Sequence, residues 1–410
     1  MEFFYILPVI LLVIFTASFL LAIIRTVQVD FPNVNIPPGV DHPGKLRVVH
    51  AHMVITSAVG KMLEKMGVCT ELAFTRYMRS GKKRGPEPRL RLRDTRFGGV
   101  PVRLYRPYVP SAAPRPAVIF FHGGGWIYCS IDSHDNICRY IARESGSVVV
   151  SVGYRLAPEH KYPAAYEDCL NATVHFMRNA EHYGVDPARI SVCGDSAGGN
   201  LAAAVSQTLA GRADLPRLRA QILIYPGLQA LDFNLPSYQQ NRGVPLLLRE
   251  RAAFFALQYL HGDATHKQDV LKGSYVPPEM RQKYEKWVSP DNIPERFKAR
   301  GYSPQKTHDI AAEICKKFER ICEPSLCPLL AEDTVIQQLP ESFILTCEYD
   351  VLRDDGLLYK KRLEDNGVGV TWCHLEDGFH AIISLHDYGG LSFPSGKRGL
   401  DSVVQFIKGL

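Results

Sequence analysis

The sequence predicts an α/β protein with a mostly parallel central sheet, helices on both faces, a helical insertion, and an apolar helix at the N-terminus. Three observations carry this expectation. From about residue 100 onward, short uninterrupted apolar runs alternate with stretches of helical spacing. Strands that are apolar throughout belong to sheets covered on both faces. The alternation breaks between about Gln229 and Ser325, where the chain turns polar and proline-dotted. At the other end, no residue from Phe3 to Ile24 carries a charge.

That uncharged run, FFYILPVILLVIFTASFLLAII, holds 22 residues. As a helix it reaches about 33 Å, enough to cross a hydrocarbon core of about 30 Å. A cleaved signal peptide has a shorter apolar region behind a basic start. Here the start carries Glu2 and neither Lys nor Arg. Residues 1–25 are therefore expected to be a retained membrane anchor. Its orientation stays open at this point. Arg25 favours its own side as cytoplasmic under the positive-inside rule. The N-glycosylation sequon Asn171-Ala172-Thr173 points the other way.

Residues 31–43 are rich in Pro and Gly and read as a linker. Residues 46–69 show helical apolar spacing through Leu46, Val49, Met53, Val59, Met62 and Met66. Together, residues 26–100 are expected to be a linker and an N-terminal cap segment. Residues 101–410 then read as one domain. Its strands are VRLYRPY from Val102, AVIFF from Ala117, SVVVSV from Ser147, RISVC before Gly194, QILIY from Gln221, ESFILTC from Glu341 and VTWCHL from Val370. Helical spacing lies between them, as over Asn136–Arg143 and Glu167–Ala180. The insertion at 229–325 contains pieces such as LLLRERAAFFALQYL and is expected to form part of a lid, since long insertions beside a site often carry substrate contacts.

Composition narrows the function. With 46% hydrophobic and 22% charged residues, 410 residues can bury a large core. A net charge of +6 without a dense Lys/Arg cluster argues against nucleic-acid binding. Ten cysteines without CxxC or Cys/His spacing indicate neither a zinc site nor a disulfide scaffold.

Three motifs carry chemistry. Gly194-Asp195-Ser196-Ala197-Gly198 lies between the strand RISVC and the alanine-rich helix AGGNLAAAVSQTLAG. A serine on such a strand–turn–helix is held on a tight bend with its hydroxyl exposed, so Ser196 is the candidate nucleophile. His122-Gly123-Gly124-Gly125 ends the strand AVIFF. Glycines there let backbone N–H groups approach a developing oxyanion. His122, Gly123 and Gly124, with the N–H of Ala197, are the candidate oxyanion hole, the His122 side chain ordering the loop. No Gly-Lys-Ser/Thr follows, so a phosphate loop is not indicated. Asp350 and His380 each end an apolar strand, and the order Ser, Asp, His is that of a triad on such a sheet. Asp350 would fix the imidazole tautomer, and His380 would take the serine proton. Asp354 and Asp355 come one turn later and are expected to cap the next helix.

Four segments carry a resemblance: HGGGW at 122–126, GYRLAPEHKYPAAYED at 153–168, GDSAGGN at 194–200, and YDVLRDDG with DGFH at 349–356 and 377–380. Over about residues 100–410 the chain resembles the hormone-sensitive-lipase-like branch of the α/β-hydrolases, and within it the arylacetamide deacetylase group. The resemblance implies the α/β-hydrolase fold, a Ser196–Asp350–His380 triad, and no metal or cofactor. It also implies a single-pass type II protein of the endoplasmic reticulum with a lumenal catalytic domain, which overrides the reading of Arg25. In the deacetylase itself a half-cystine matches Cys347, and its partner directly follows the Trp of HGGGW. Here that position is Ile127, and the nearest cysteine is Cys129. A Cys129–Cys347 disulfide is the resulting expectation, both residues lying just past strands expected to be neighbours. The expected activity is hydrolysis of ester or amide bonds of small lipophilic acyl substrates through an acyl-enzyme on Ser196. A lipase acting on long-chain glycerides is a variant of it. The rival is a catalytically silent ligand-binding protein on the same scaffold. Such a protein should have lost a triad residue or an oxyanion glycine, and none is missing.

Overall fold

A computed structural model describes residues 2–31, 34–81, 85–111, 113–305 and 312–410. Residues 32–33 of the expected linker and 306–311 of the expected insertion lie outside the described residues. Three helices precede the sheet: α1 (Glu2–Asp30), α2 (Pro43–Lys65) and α3 (Glu71–Arg79). The strands are β1 (Leu90–Phe97), β2 (Val100–Pro107), β3 (Arg115–Phe121), β4 (Val148–Val152), β5 (Val185–Asp195), β6 (Ala220–Ile224), β7 (Glu341–Tyr349) and β8 (Val370–Phe379). They form one sheet in the order β1-β2-β4-β3-β5-β6-β7-β8. β1 pairs antiparallel with β2, and β2 with β4; every other pairing is parallel.

The central strands read as apolar because they are covered on both sides; all five residues of β4 and of β6 are buried. β1 escaped the sequence reading for the opposite reason. Its sequence LRLRDTRF alternates with arginine and is half exposed. Charge on an edge strand blocks pairing with another chain. β1 also moves the start of the sheet to Leu90, ahead of the expected domain start at 101.

The helices α4 (Asp135–Ser145), α5 (Ala164–Arg178) and α6 (Ala197–Ala210) connect the first parallel strands. Between β6 and β7 come α7 (Pro236–Gln240), α8 (Arg249–His261), α9 (Lys267–Lys272), α10 (Pro278–Val288), α11 (Ala312–Lys317) and α12 (Asp333–Ile336). Then α13 (Arg353–Asp365) and α14 (Pro394–Gly409) complete the chain. Ile137 and Ile141 of α4 join Leu400, Val403 and Ile407 of α14 in one core layer. Phe176 of α5, Leu201 of α6 and Leu358 of α13 belong to the layer on the other face. Each such side chain contributes about 1.5–3 kcal/mol on burial, so this double layer holds the strand ends in place. Those ends carry the site.

The N-terminal helix stands apart. From Ile6 to Asp30 it is long and apolar enough to cross a membrane, with a mean hydropathy of 2.9 over its most apolar 18 residues. From Ile6 onward it is half covered or buried only along the stripe Phe19, Ala22, Ile23, Thr26 and Asp30.

The topology corrects one expectation. Cys129 follows β3 and Cys347 lies within β7, but β5 and β6 intervene. β3 and β7 are therefore about 14 Å apart, whereas a disulfide needs Cα atoms within about 7 Å. Cys347 is fully buried in the layer with α4 and α14, while Cys129 packs against the opposite layer. All ten cysteines are free thiols.

Candidate active site

β5 ends at Asp195 and α6 begins at Ala197, leaving Ser196 alone on the bend at φ 57° and ψ −120°. Such a backbone costs a non-glycine residue about 1–3 kcal/mol and persists only where its surroundings enforce it. The enforcement is steric. A Cβ on Gly194 would sit 2.1 Å from the Gly198 carbonyl oxygen, and one on Gly198 would sit 2.0 Å from that of Phe121. With both positions glycine, the helix packs close to the strand and turns the serine outward.

Asp350 directly follows β7, and His380 directly follows β8. All three residues therefore sit at the C-terminal ends of parallel strands, where ligands bind in open α/β sheets. His380 Nδ1 lies 2.7 Å from Asp350 Oδ2, and His380 Nε2 lies 2.9 Å from Ser196 Oγ. Asp350 is 1% exposed, and its Oδ1 accepts the Leu352 N–H at 2.9 Å. With Nδ1 donating to the carboxylate, Nε2 is left to accept from the serine. The Tyr225 ring, 5.0 Å from the imidazole, walls it from the side.

The loop after β3 departs from expectation. The Gly123 N–H donates to Asp195 Oδ1 at 2.8 Å, so it is already used. The N–H groups of Gly124 and Ala197 have no acceptor among the described residues. Gly125, which sequence reasoning left out, lines the cavity beside Ser196 and Ala197. With Gly123 engaged, Gly124 and Gly125 are left as the loop's candidate donors. His122 lies behind the loop, 1% exposed and stacked on Tyr154 at 4.3 Å. The Tyr154 hydroxyl donates to the His122 carbonyl at 2.6 Å. Burial pushes the His122 imidazole down to about 3, so it is neutral and braces the loop.

Two further residues were silent in the sequence. Asp195 holds Gly123, and His134 Nε2 lies 3.2 Å from the same carboxylate. Burial alone would raise Asp195, but His134 and the Gly123 N–H outweigh it and keep the carboxyl below its ordinary range. The segment at 153–168, meaningful only through resemblance, has a physical task. Tyr154 supports the loop, and Arg155 fastens its neighbour to Asp168 through contacts of 2.9 Å.

Asp354 and Asp355 correct the capping expectation. Both are fully buried inside α13, whose N-cap residue is Leu352 with no side-chain cap. Asp354 Oδ2 accepts from the Ser237 N–H at 2.6 Å. Asp355 accepts from the N–H groups of Leu228 and Gln229 at 2.9 and 3.3 Å, and from the Gln229 side-chain amide at 3.0 Å. They clamp the 228–238 loop from beneath. Burial pushes Asp355 up to about 7 against the opposing effect of these donors.

That loop reaches the serine. A cavity of about 50 Å³ touches Ser196 and is walled by Trp126, Phe233, Tyr238, Leu247, Phe255 and Leu352, among others. Four of these six come from the 229–325 insertion. A larger cavity of about 850 Å³, lined by Asp232, Lys272 and Arg281, touches no triad residue, so the smaller one is the site by its chemistry. Asn171 is exposed on α5. No cluster of metal-ligating side chains occurs among the described residues.

Comparison with known proteins agrees with this fold. A family model described as alpha/beta hydrolase fold matches residues 118–282 and 289–384. The chain is similar to human arylacetamide deacetylase-like 4, at 45% identity over 98% of both chains. It is similar to bovine arylacetamide deacetylase at 36% identity, covering 92% of this chain and 94% of that one. It is also similar to rat neutral cholesterol ester hydrolase 1, at 36% identity over 95% and 98%. Among solved structures, a hyperthermophilic esterase from Pyrobaculum calidifontis superposes with a TM-score of 0.62 at 27% identity, covering 90% of this chain and 98% of that one. Fold and relatives together define a carboxylic ester hydrolase built on the α/β-hydrolase fold. Within that family the chain belongs to the arylacetamide deacetylase-like proteins.

Proposed function

We propose that the chain cleaves ester or amide bonds of small lipophilic acyl substrates through an acyl-enzyme on Ser196. The observation that carries this reading is the unbroken hydrogen-bonded series Asp350–His380–Ser196 opening into an apolar cavity. As Ser196 Oγ attacks the carbonyl carbon, His380 Nε2 takes its proton. The carbonyl oxygen gains negative charge and accepts from the backbone N–H groups of the Gly124–Gly125 loop and Ala197, the latter at the positive end of α6. His380 returns the proton to the departing alcohol or amine, whose bond to the carbonyl carbon breaks. Water then attacks the acyl-enzyme by the same route, releasing the acid and restoring Ser196. Asp350 stays ionised and stabilises the imidazolium. The chemistry needs no metal or cofactor. The silent-scaffold rival fits poorly with three intact, mutually bonded side chains.

We read the insertion as a lid. The cavity is narrow, about 50 Å³, and Phe255 of α8 forms part of its wall. Only the shortest acyl groups fit without displacing Phe255 of α8, so larger substrates enter when α8 moves. Nitrophenyl esters from two to sixteen carbons, with an arylacetamide beside them, test this. The highest kcat/KM is expected for the shortest acyl chains, declining with length. Absence of turnover on every ester and amide would contradict the assignment.

We further read residues 1–25 as the anchor of a single-pass type II protein, with the catalytic domain in the lumen of the endoplasmic reticulum. The full chain should then resist carbonate extraction from microsomes. Its domain should be shielded from added protease, and Asn171, exposed on α5, should be open to glycosylation. A mature protein lacking its N-terminus would overturn the anchor. Digestion of the domain in sealed vesicles would overturn the orientation.

A further inference from the structure

Outside α1, nine large hydrophobic side chains stand exposed among the described residues, and six of them fall between positions 48 and 78. These are Val48, Ile55, Met66, Val68, Tyr77 and Met78; the other three, Tyr108, Val109 and Tyr388, lie elsewhere in the chain. Met66, Val68 and Tyr77 are 68%, 64% and 77% exposed. Val48 and Ile55 of α2, and Met66 directly after it, share one face with the half-covered Val59 and Met62, at helical spacing. The stripe continues over the Met66–Val68 turn to Tyr77 and Met78 of α3. Apolar surface concentrated in this way marks an interaction site.

The other side of α2 packs towards α1. Met53 and Val54 pack in a cluster with Phe31 and Leu248 that Ile23 also joins. Ile23 lies within the uncharged run of α1, at its C-terminal end. Asp30 of α1 pairs with Lys61 of α2, and the Ser57 hydroxyl donates to Glu71 of α3. The helix pair is thus locked to α1 where the membrane-spanning length ends, which is the level of the lipid surface.

We propose that the exposed face of α2 and α3 is a bilayer-docking surface, seated at the boundary between headgroups and acyl chains of the membrane that α1 spans. It rests on the anchor reading above. An apolar helix face beside a transmembrane segment lies in that boundary rather than in water. The surface is coupled to the site. Arg76 of α3 donates to the carbonyls of Ile127 and Ala157 at 2.8 and 2.7 Å and pairs with Glu159, so α3 is fastened to the chain leaving HGGGW. Arg251 of α8 lies over both Phe31 and Phe255. The lid residue over Ser196 therefore adjoins the membrane-side helices, and lipophilic substrate passes from the bilayer past α8 to the serine.

The test uses the full chain in phosphatidylcholine nanodiscs containing a lipid with a diazirine in its acyl chain. After irradiation, adducts should map to α1 and to Ile55, Met62, Met66 and Val68. Adducts confined to α1 overturn the docking surface and leave the anchor standing. Absence of adducts in α1 overturns the anchor reading beneath it. In a parallel sample treated with a bifunctional lysine cross-linker, links between two copies through Lys61 or Lys65, with no lipid adducts over residues 48–78, would assign the face to a second copy and overturn the proposal. Independently, an Ile55→Glu/Met66→Glu variant should keep its kcat/KM on a short water-soluble ester. It should lose at least fivefold on an ester dissolved in the bilayer. Equal losses on both substrates overturn the proposal.

Discussion

An Asp350→Asn enzyme is expected to fold as the parent does and to turn over ester about 10⁴-fold more slowly. The carboxylate receives the His380 Nδ1 proton at 2.7 Å, and that single contact decides which imidazole nitrogen is left to serve Ser196. An amide in its place can present its NH₂ to Nδ1, which moves the imidazole proton to Nε2 and removes the base. The remaining support of residue 350 survives, because the Asn carbonyl still accepts the Leu352 N–H that Oδ1 now takes at 2.9 Å. The loss should therefore appear in kcat with the melting temperature nearly unchanged. Near-normal turnover by this variant would move the triad acid elsewhere.

Asp355→Ala should fail differently. It strands three buried donors, the N–H groups of Leu228 and Gln229 and the Tyr238 hydroxyl, while the Gln229 side-chain amide keeps the Asp232 carbonyl. At about 1–3 kcal/mol for each buried donor left unmade, the cost is about 3–9 kcal/mol, a large share of an ordinary domain's stability. That is well beyond the roughly 1 kcal/mol of a lost helix cap. A fall in melting temperature of about 5–10 °C is expected in detergent. The 228–238 loop carries Phe233 and Tyr238 of the cavity wall, so KM should rise as well. Asp355→Asn isolates the charge. The folded carboxyl titrates near 7, above an unfolded value of about 3.9, so the folded state holds its proton more tightly. Its contribution to stability is fully present below about pH 4 and is lost as pH rises toward 7. The variant, uncharged throughout, should gain on the parent across that window by up to about 1.4 kcal/mol per pH unit. A constant difference across the window would show that Asp355 does not titrate there.

The parts of the site that were legible share a cause. Ser196, Asp350 and His380 each end an apolar run, and strand ends can be read one segment at a time. The 22 uncharged residues of α1 were legible for the same reason. What failed depends on partners distant in the chain. Gly123 looked like an oxyanion donor until Asp195, 72 residues away, took its N–H. Asp355 looked like a cap, but its partner loop lies 126 and 127 residues earlier. The Cys129–Cys347 pair failed because two strands insert between β3 and β7, and no local pattern records strand order. β1 failed because its arginines suit an exposed edge and not a core.

Ser196, on its strained bend and bonded to His380, is the proposed nucleophile. A fluorophosphonate probe measures this directly, since it forms a covalent bond only with an activated hydroxyl. The native full chain should carry one adduct, mapped by peptide sequencing to Ser196, and Ser196→Ala should carry none while melting normally. Undiminished labelling of the Ser196→Ala chain, or an adduct on any other residue of the native protein, would contradict the account.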